Sequence, residues 1–170
     1  PLLESIKSLS HEYNIMGILN RSAGPPVVTA ARLANFLQLP YYSEDIAIKI
    51  VNKHLLMELC EKYGIPAPKS YALTKDQELN KKQIKYPCVV RPSLSLVGKS
   101  GITIVNEANE LDDALCYAFD STINNYITID EYIDGHDISL VSFVDEGGLV
   151  SICLLDEINT NDTNGKINGR

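Results

Sequence analysis

The sequence has no apolar run long enough to cross a bilayer and no basic-then-apolar leader at its start, so neither a membrane-spanning nor a secreted protein is expected. Its four cysteines, Cys60, Cys88, Cys116 and Cys153, form no Cys-x-x-Cys pair and each sits in apolar surroundings. They read as buried free thiols in a reducing cytoplasm rather than as a disulfide framework. Its three histidines, His11, His54 and His136, lack ligand spacing, which argues against a metal centre built on histidine or cysteine. Positive balance is missing too. The net charge of −7 disfavours nucleic acid and anionic membranes as partners, and it makes any cluster of basic side chains a local pocket rather than a broad patch. The chain opens on Pro1 instead of methionine, so it is expected to begin inside a longer protein. What remains is 170 residues, 45% of them hydrophobic, enough for one or two domains with a core.

The most informative stretch is YPCVVRPSLSLVGKSGITIV, residues 86–105. Two β-branched runs, Cys88-Val89-Val90 and Ile102-Thr103-Ile104-Val105, favour strands, because branching at Cβ suits a pleated surface. Between them lie Ser93, Ser95, Gly98, Lys99, Ser100 and Gly101, with Arg91 at the end of the first run. Small residues with exposed amides, a lysine and a strand-end arginine suit an anion such as phosphate. Gly98-Lys99-Ser100 imitates the end of a P-loop, but Ser93 stands where the leading glycine belongs, and the following Ile102–Val105 run is a strand former. A P-loop lysine must open a helix, so that reading fails.

Periodicity predicts a helix over residues 1–13, a short buried strand over 14–19 and a helix over 27–37 that opens on Pro25-Pro26. One long helix is expected over 45–63, closed by Gly64. A strand over 70–73 and a short helix over 75–83 capped by Thr74 follow. Past the central strand pair, residues 110–119 read as an amphipathic helix and 126–133 as a strand. Residues 138–144 and 149–155 read as two strands joined tightly at Gly147-Gly148, and 159–170 as a loop.

The order of these segments carries a resemblance. Asn52-Lys53 opens a helix that runs to Tyr63-Gly64-Ile65-Pro66-Ala67-Pro68; a strand ends Arg91-Pro92-Ser93; a small-residue loop, strand and helix come next; then Asp130-Glu131-Tyr132-Ile133-Asp134-Gly135-His136-Asp137. From about Asn14 onward the chain resembles the ATP-grasp superfamily. RPSLSLVGKSG is similar to the large chain of carbamoyl-phosphate synthases, and NK…GIPAP and DEYIDGHD are similar to ATP-dependent carboxylate–amine ligases. The resemblance implies an α/β (α+β) fold: the end of a Rossmann-like preceding domain over 1–45, a linker helix and small flap lobe over 46–130, and the start of the C-terminal lobe over 131–170. It implies ATP as cofactor. Lys53 and Arg91 would face the phosphates, and the loop from Ser93 to Gly101, with Gly98 and Lys99, would be the flap over them. Asp130, Glu131 and Ile133 would form the hinge that holds adenine, and Asp137 would accept the ribose hydroxyls.

Both Asp130 and Asp137 depart from the glutamate usual in the family and are one methylene shorter. The family's magnesium ligands, an acid and a Glu-x-Asn pair, are expected beyond Arg170; Glu157-Ile158-Asn159 follows the hinge too soon to be that pair and reads as a strand end entering a loop. The implied activity is that of an ATP-dependent ligase acting in the cytoplasm, which activates a small carboxylate as an acyl phosphate for attack by an amine or ammonia. The chain by itself is expected to be inactive. The Asp-for-Glu changes leave a second expectation, a non-catalytic nucleotide-binding module of the same shape.

Overall fold

The computed structural model describes residues 2–96, 98–145, 147–156, 160–161 and 167–168. Two helices come first, α1 (Leu2–Glu12) and α2 (Pro25–Phe36), then α3 (Glu44–Val51) and α4 (Lys53–Tyr63). A sheet region follows with β1 (Ser70–Thr74), β2 (Cys88–Pro92), β3 (Thr103–Val105), α5 (Leu111–Ser121) and β4 (Tyr126–Glu131). After these come β5 (Ile138–Asp145), β6 (Gly148–Asp156), β7 (Thr160–Asn161) and β8 (Ile167–Asn168). The first four strands form one antiparallel sheet in the order β1-β4-β2-β3. The α/β class expected from the sequence is therefore the one observed, with antiparallel sheets.

Strand alternation divides that sheet into two unlike faces. One carries Leu73, Cys88, Val90, Val105, Ile127 and Ile129, and α5 covers it with Leu111, Ala114 and Ala118 to make the core. The other carries Ser70, Arg91, Thr128 and Asp130, with Ser70 opposite Asp130 and Arg91 opposite Thr128. Against this polar face lies α4, whose His54 ring stacks on Tyr126 with centroids 4.4 Å apart. The apolar face holds the lobe together; the polar face is where chemistry can happen.

Several sequence expectations change. The long helix over 45–63 is broken at Asn52, which adopts φ −95° and ψ 112°. Its amide Nδ2 donates to Ile48 O at 2.6 Å, and its Oδ1 accepts from Asn124 Nδ2 at 2.6 Å. Lys53 N–H donates to Ser93 O at 3.0 Å. A first-turn amide has no carbonyl within its own helix, so an outside acceptor is needed and the break is where one is reached. Gly64 closes α4 in the left-handed conformation (φ 65°, ψ 27°), as the sequence indicates. Asn52→Ala removes both side-chain bonds and strands the Asn124 amide; it is expected to cost about 2 kcal/mol in urea unfolding.

Residues 14–19 form no strand, and Met16 and Leu19 are 83% and 89% exposed; an apolar run reads as a buried strand only where a neighbouring strand can pair with it. Residues 75–83 form no α-helix. Gln77 N–H turns back to Thr74 O at 3.2 Å, and a short 3-10 turn spans Lys81–Gln83. Leu79 and Ile84 are the apolar residues over 75–84. Both pack on the core, but they give a helix no stripe to bury. β4 ends at Glu131 rather than 133, because β2 begins just after Pro87, which has no N–H for the ladder. The tail read as loop holds a short ladder, Thr160 opposite Asn168 and Asn161 opposite Ile167; the Glu157-Ile158-Asn159 segment lies outside the described residues. β5 and β6 pair as a hairpin, bulged between Val141 and Ser142. Of the four cysteines expected to be buried only Cys88 is; Cys60 is half-buried, and Cys116 on the outer side of α5 and Cys153 on the exposed β6 face solvent.

Candidate functional site

At the end of β2 the chain delivers two consecutive structural devices, Arg91-Pro92 and Ser93. Arg91 points to the polar face, where its Nε donates to Asp130 Oδ2 at 2.5 Å. Asp130 is 3% exposed. It also accepts from Ser70 Oγ at 2.5 Å and from Thr128 Oγ1 at 3.2 Å, so three donors from three strands satisfy one buried carboxylate. Buried ion pairs persist where geometry and extra hydrogen bonds offset desolvation, as they do here.

Lys53 lies at the first position of α4 and shares a cavity with Arg91. Burial pushes its pKa below the ordinary 10.5; the Arg91 charge pushes the same way, and Asp130 opposes. A half-buried cation beside another cation is a standing demand for an anion. The cavity is about 610 Å³; Lys53, Arg91, Gly98, Lys99 and Ser100 supply polar lining, and Val27, Ile50, Leu56, Met57 and Leu94 supply apolar walls. In a chain of net charge −7, three basic side chains meeting in one cavity make it a local positive site.

The loop over this cavity keeps its shape through unusual backbone positions. Lys99 has φ 63°, a conformation that side chains seldom adopt. Gly101 has φ 76°, and a Cβ there would lie 2.5 Å from Ser121 Cβ and 3.0 Å from Pro92 Cδ. By contrast, a Cβ at Gly98 would meet nothing within 4 Å. The glycine that the loop requires is therefore Gly101, at its base against α5. The strand that follows Lys99 agrees with rejection of a P-loop.

The sequence-predicted residues divide into groups. Lys53, Arg91, Gly98 and Lys99 line one cavity. Asp130 stands behind Arg91, and Ser93 is 0% exposed beneath the loop, bonded to His54. Glu131 lines a separate cavity of about 390 Å³ with Asp130, Tyr132, Lys69 and Tyr86; its Oε2 accepts from Lys69 N–H at 3.3 Å. Ile133 and Asp137 are exposed beyond the end of β4, outside both cavities. The structure adds residues that the sequence reading did not single out: Ser70, Thr128, Asn124 and His54. Thr128 was within reach of that reading, because strand alternation puts it on the same face as Asp130. Among the described residues, no group of three or more His, Cys, Asp or Glu side chains is placed to hold a metal ion.

Residues 59–164 match the family described as D-ala D-ala ligase C-terminus. A carbamoyl phosphate synthase large chain from Clostridium beijerinckii is 29% identical over 148 residues, covering 79% of this chain and 14% of that protein. Among solved structures, an L-amino acid ligase from Bacillus licheniformis superposes with a TM-score of 0.74 at 18% identity, covering 96% of this chain and 37% of that one. A D-alanine–D-alanine ligase from Bacillus anthracis, complexed with ATP, superposes with a TM-score of 0.61 at 23% identity, covering 78% and 44%. At these identities the structures show a shared fold, and this chain spans less than half the length of each of these relatives.

Proposed function

The chain belongs to the D-ala D-ala ligase C-terminus family of ATP-grasp proteins, and from that premise we propose that it is the nucleotide-binding part of a cytoplasmic ATP-dependent ligase. The observation that carries the reading is the meeting of Lys53, Arg91 and Lys99 at one cavity under a glycine-bounded loop. Lys53 and Arg91 offset the charge of the ATP polyphosphate, and Lys99 closes over it with the loop. Asp130 holds the Arg91 side chain in place from behind. Glu131, Ile133 and Asp137 are the proposed holds for adenine and ribose. The likeness to an ATP-complexed ligase supports the nucleotide, and the ligase relatives support the reaction class. The division into 1–45, 46–130 and 131–170 belongs to the same proposal.

In the proposed reaction a substrate carboxylate oxygen bonds to the γ-phosphorus as the bridge to the β-phosphate breaks, and ADP leaves. An amine nitrogen then attacks the acyl carbon, the carbon–oxygen bond to phosphate breaks, and the amine gives up a proton. The part of this chain is charge placement rather than covalent chemistry, as phosphoryl transfer in general requires. Magnesium would neutralise the phosphates further, but the described residues offer no cluster of acidic side chains to hold it, so no step here is assigned to it. Nucleic acid is not a proposed partner, and among the described residues no helix is long and apolar enough to cross a membrane.

The test is calorimetric. Lys53 has a pKa below 10.5 in the free protein, and a bound polyphosphate raises it again. The complex therefore holds more protons than the free protein in the window between the lowered pKa of free Lys53 and its raised pKa in the complex. ATP affinity should fall as pH rises through that window and level off below it. Titrations in buffers of different ionisation enthalpy should reveal proton uptake there. Affinity that is flat across the window would contradict the role of Lys53. ATP binding with no amine-dependent phosphate release in the full-length protein would favour the non-catalytic module.

A further inference from the structure

The start of α4 is tied to the end of β2 through a single buried residue. Lys53 N–H donates to Ser93 O at 3.0 Å. His54 N–H donates to Ser93 Oγ at 3.3 Å, and His54 Nδ1 lies 2.6 Å from the same oxygen. Ser93 N–H in turn donates to Tyr126 O at 2.9 Å, and the His54 ring stacks on Tyr126 at an interplanar angle of 8°. Burial pushes the pKa of His54 below its ordinary 6.5, while the Glu58 charge opposes; the ring is accordingly neutral at pH 7. A neutral ring with its proton on Nε2 accepts at Nδ1. Ser93 Oγ accepts the His54 backbone N–H, and with the ring in that tautomer it gives its own proton to Nδ1. Both functions of the hydroxyl are then committed, and the first turn of α4 is fixed in direction as well as distance.

This arrangement has a consequence for the neighbouring side chain. The first turn of a helix lacks internal partners for its amides and frays unless something outside holds it. Lys53 is in that turn, and its position relative to Arg91 sets whether both cations reach one polyphosphate. We propose that His54 is a positioning residue for the nucleotide site: through Ser93 it fixes where Lys53 enters the cavity beside Arg91. The inference rests on the nucleotide reading above. His54 itself is not among the residues lining the cavity of Lys53 and Arg91; it lines a neighbouring groove with Glu58, Lys69 and Tyr71, so its role toward the phosphates is indirect.

The experiment measures dissociation constants for ATP and for adenosine on the full-length protein. His54→Leu keeps bulk and removes the ring nitrogens; it is expected to weaken ATP binding about tenfold and to leave adenosine within about twofold. Ser93→Ala, which removes one oxygen, should reproduce this pattern. His54→Asn, which can return an acceptor near the place of Nδ1, should recover most of the loss. Lys53→Ala should weaken ATP binding, and adding His54→Leu to it should change affinity by no more than about twofold, because residues acting through one another are not additive. A role in general packing would weaken ATP and adenosine alike and add to the Lys53→Ala effect; either result overturns the proposal. If Lys53→Ala weakens ATP binding and His54→Leu does not, the inference fails alone. If Lys53→Ala leaves ATP affinity unchanged, the nucleotide reading fails and takes this inference with it.

Discussion

Arg91→Ala is expected to lower stability by about 3 kcal/mol, because it leaves a buried carboxylate without its bonded counter-charge, with only the unbonded Lys53 cation near it. Asp130 is 3% exposed and would retain the Ser70 and Thr128 hydroxyls, but those are dipoles facing a full charge. The reverse change should be milder. In Asp130→Asn the guanidinium keeps an amide oxygen to bond, and the Arg91 side chain, 26% exposed, can turn toward water. The double variant Arg91→Met, Asp130→Asn should recover much of the loss, since replacing both members of a buried pair is far gentler than removing one. Guanidinium unfolding of these variants and of Arg91→Met alone, which completes the cycle, decides the matter. Equal losses in Arg91→Ala and Asp130→Asn, or additivity in the double variant, would contradict the account of the pair. Arg91→Ala should also weaken ATP binding, and Arg91→Lys, which keeps the charge, separates that effect from the loss of fold.

The second large effect is expected at Gly101. Alanine there meets two penalties at once. The backbone holds φ 76° and the new Cβ sits 2.5 Å from Ser121 Cβ and 2.7 Å from Ser121 Oγ. Left-handed strain and overpacking together should cost about 3 kcal/mol, a drop in melting temperature on the order of 10 °C. The nearest atoms belong to the last residue of α5, so the neighbour cannot swing away as a long side chain could. Adding Ser121→Gly removes both Ser121 contacts and should restore part of the stability, with the backbone strain and the Pro92 contact remaining. Gly98→Ala, with nothing within 4 Å of its Cβ, is the matched control and should be nearly silent. Thermal melts that rank Gly98→Ala as the worse variant would contradict the packing at the base of the loop.

What could be read from the sequence was what local chemistry decides. The β-branched runs around the Arg91 loop, the Gly64 helix stop and the amphipathic α5 each follow from neighbours a few residues away, and each is present in the structure. The order of the segments around Asn52-Lys53, Arg91-Pro92-Ser93, the small-residue loop and Asp130–Asp137 carries the resemblance, and the fold brings Lys53, Arg91 and Lys99 to one cavity. What could not be read depends on distant partners. The segment over 45–63 carries apolar residues on both sides of the polar run Asn52-Lys53-His54, and only Asn124, 72 residues away, and Ser93 reveal why the helix breaks there. Asp130 looked like a group facing a ligand; β1 and β2 on either side of β4 instead bury it among Ser70, Thr128 and Arg91. His54 carries no local signal, because its importance comes from a serine 39 residues on.

The central claim is that the cavity between the start of α4 and the end of β2 takes the polyphosphate of ATP. A crystal structure of the full-length protein with a non-hydrolysable ATP analogue tests it most directly. The account predicts phosphate oxygens within hydrogen-bond reach of Lys53 Nζ and the Arg91 guanidinium, with the loop of Gly98 and Lys99 over them. An analogue seated elsewhere, such as the groove of about 500 Å³ between α4 and β1 lined by Glu58 and Tyr71, with neither Lys53 nor Arg91 touching phosphate, would contradict it.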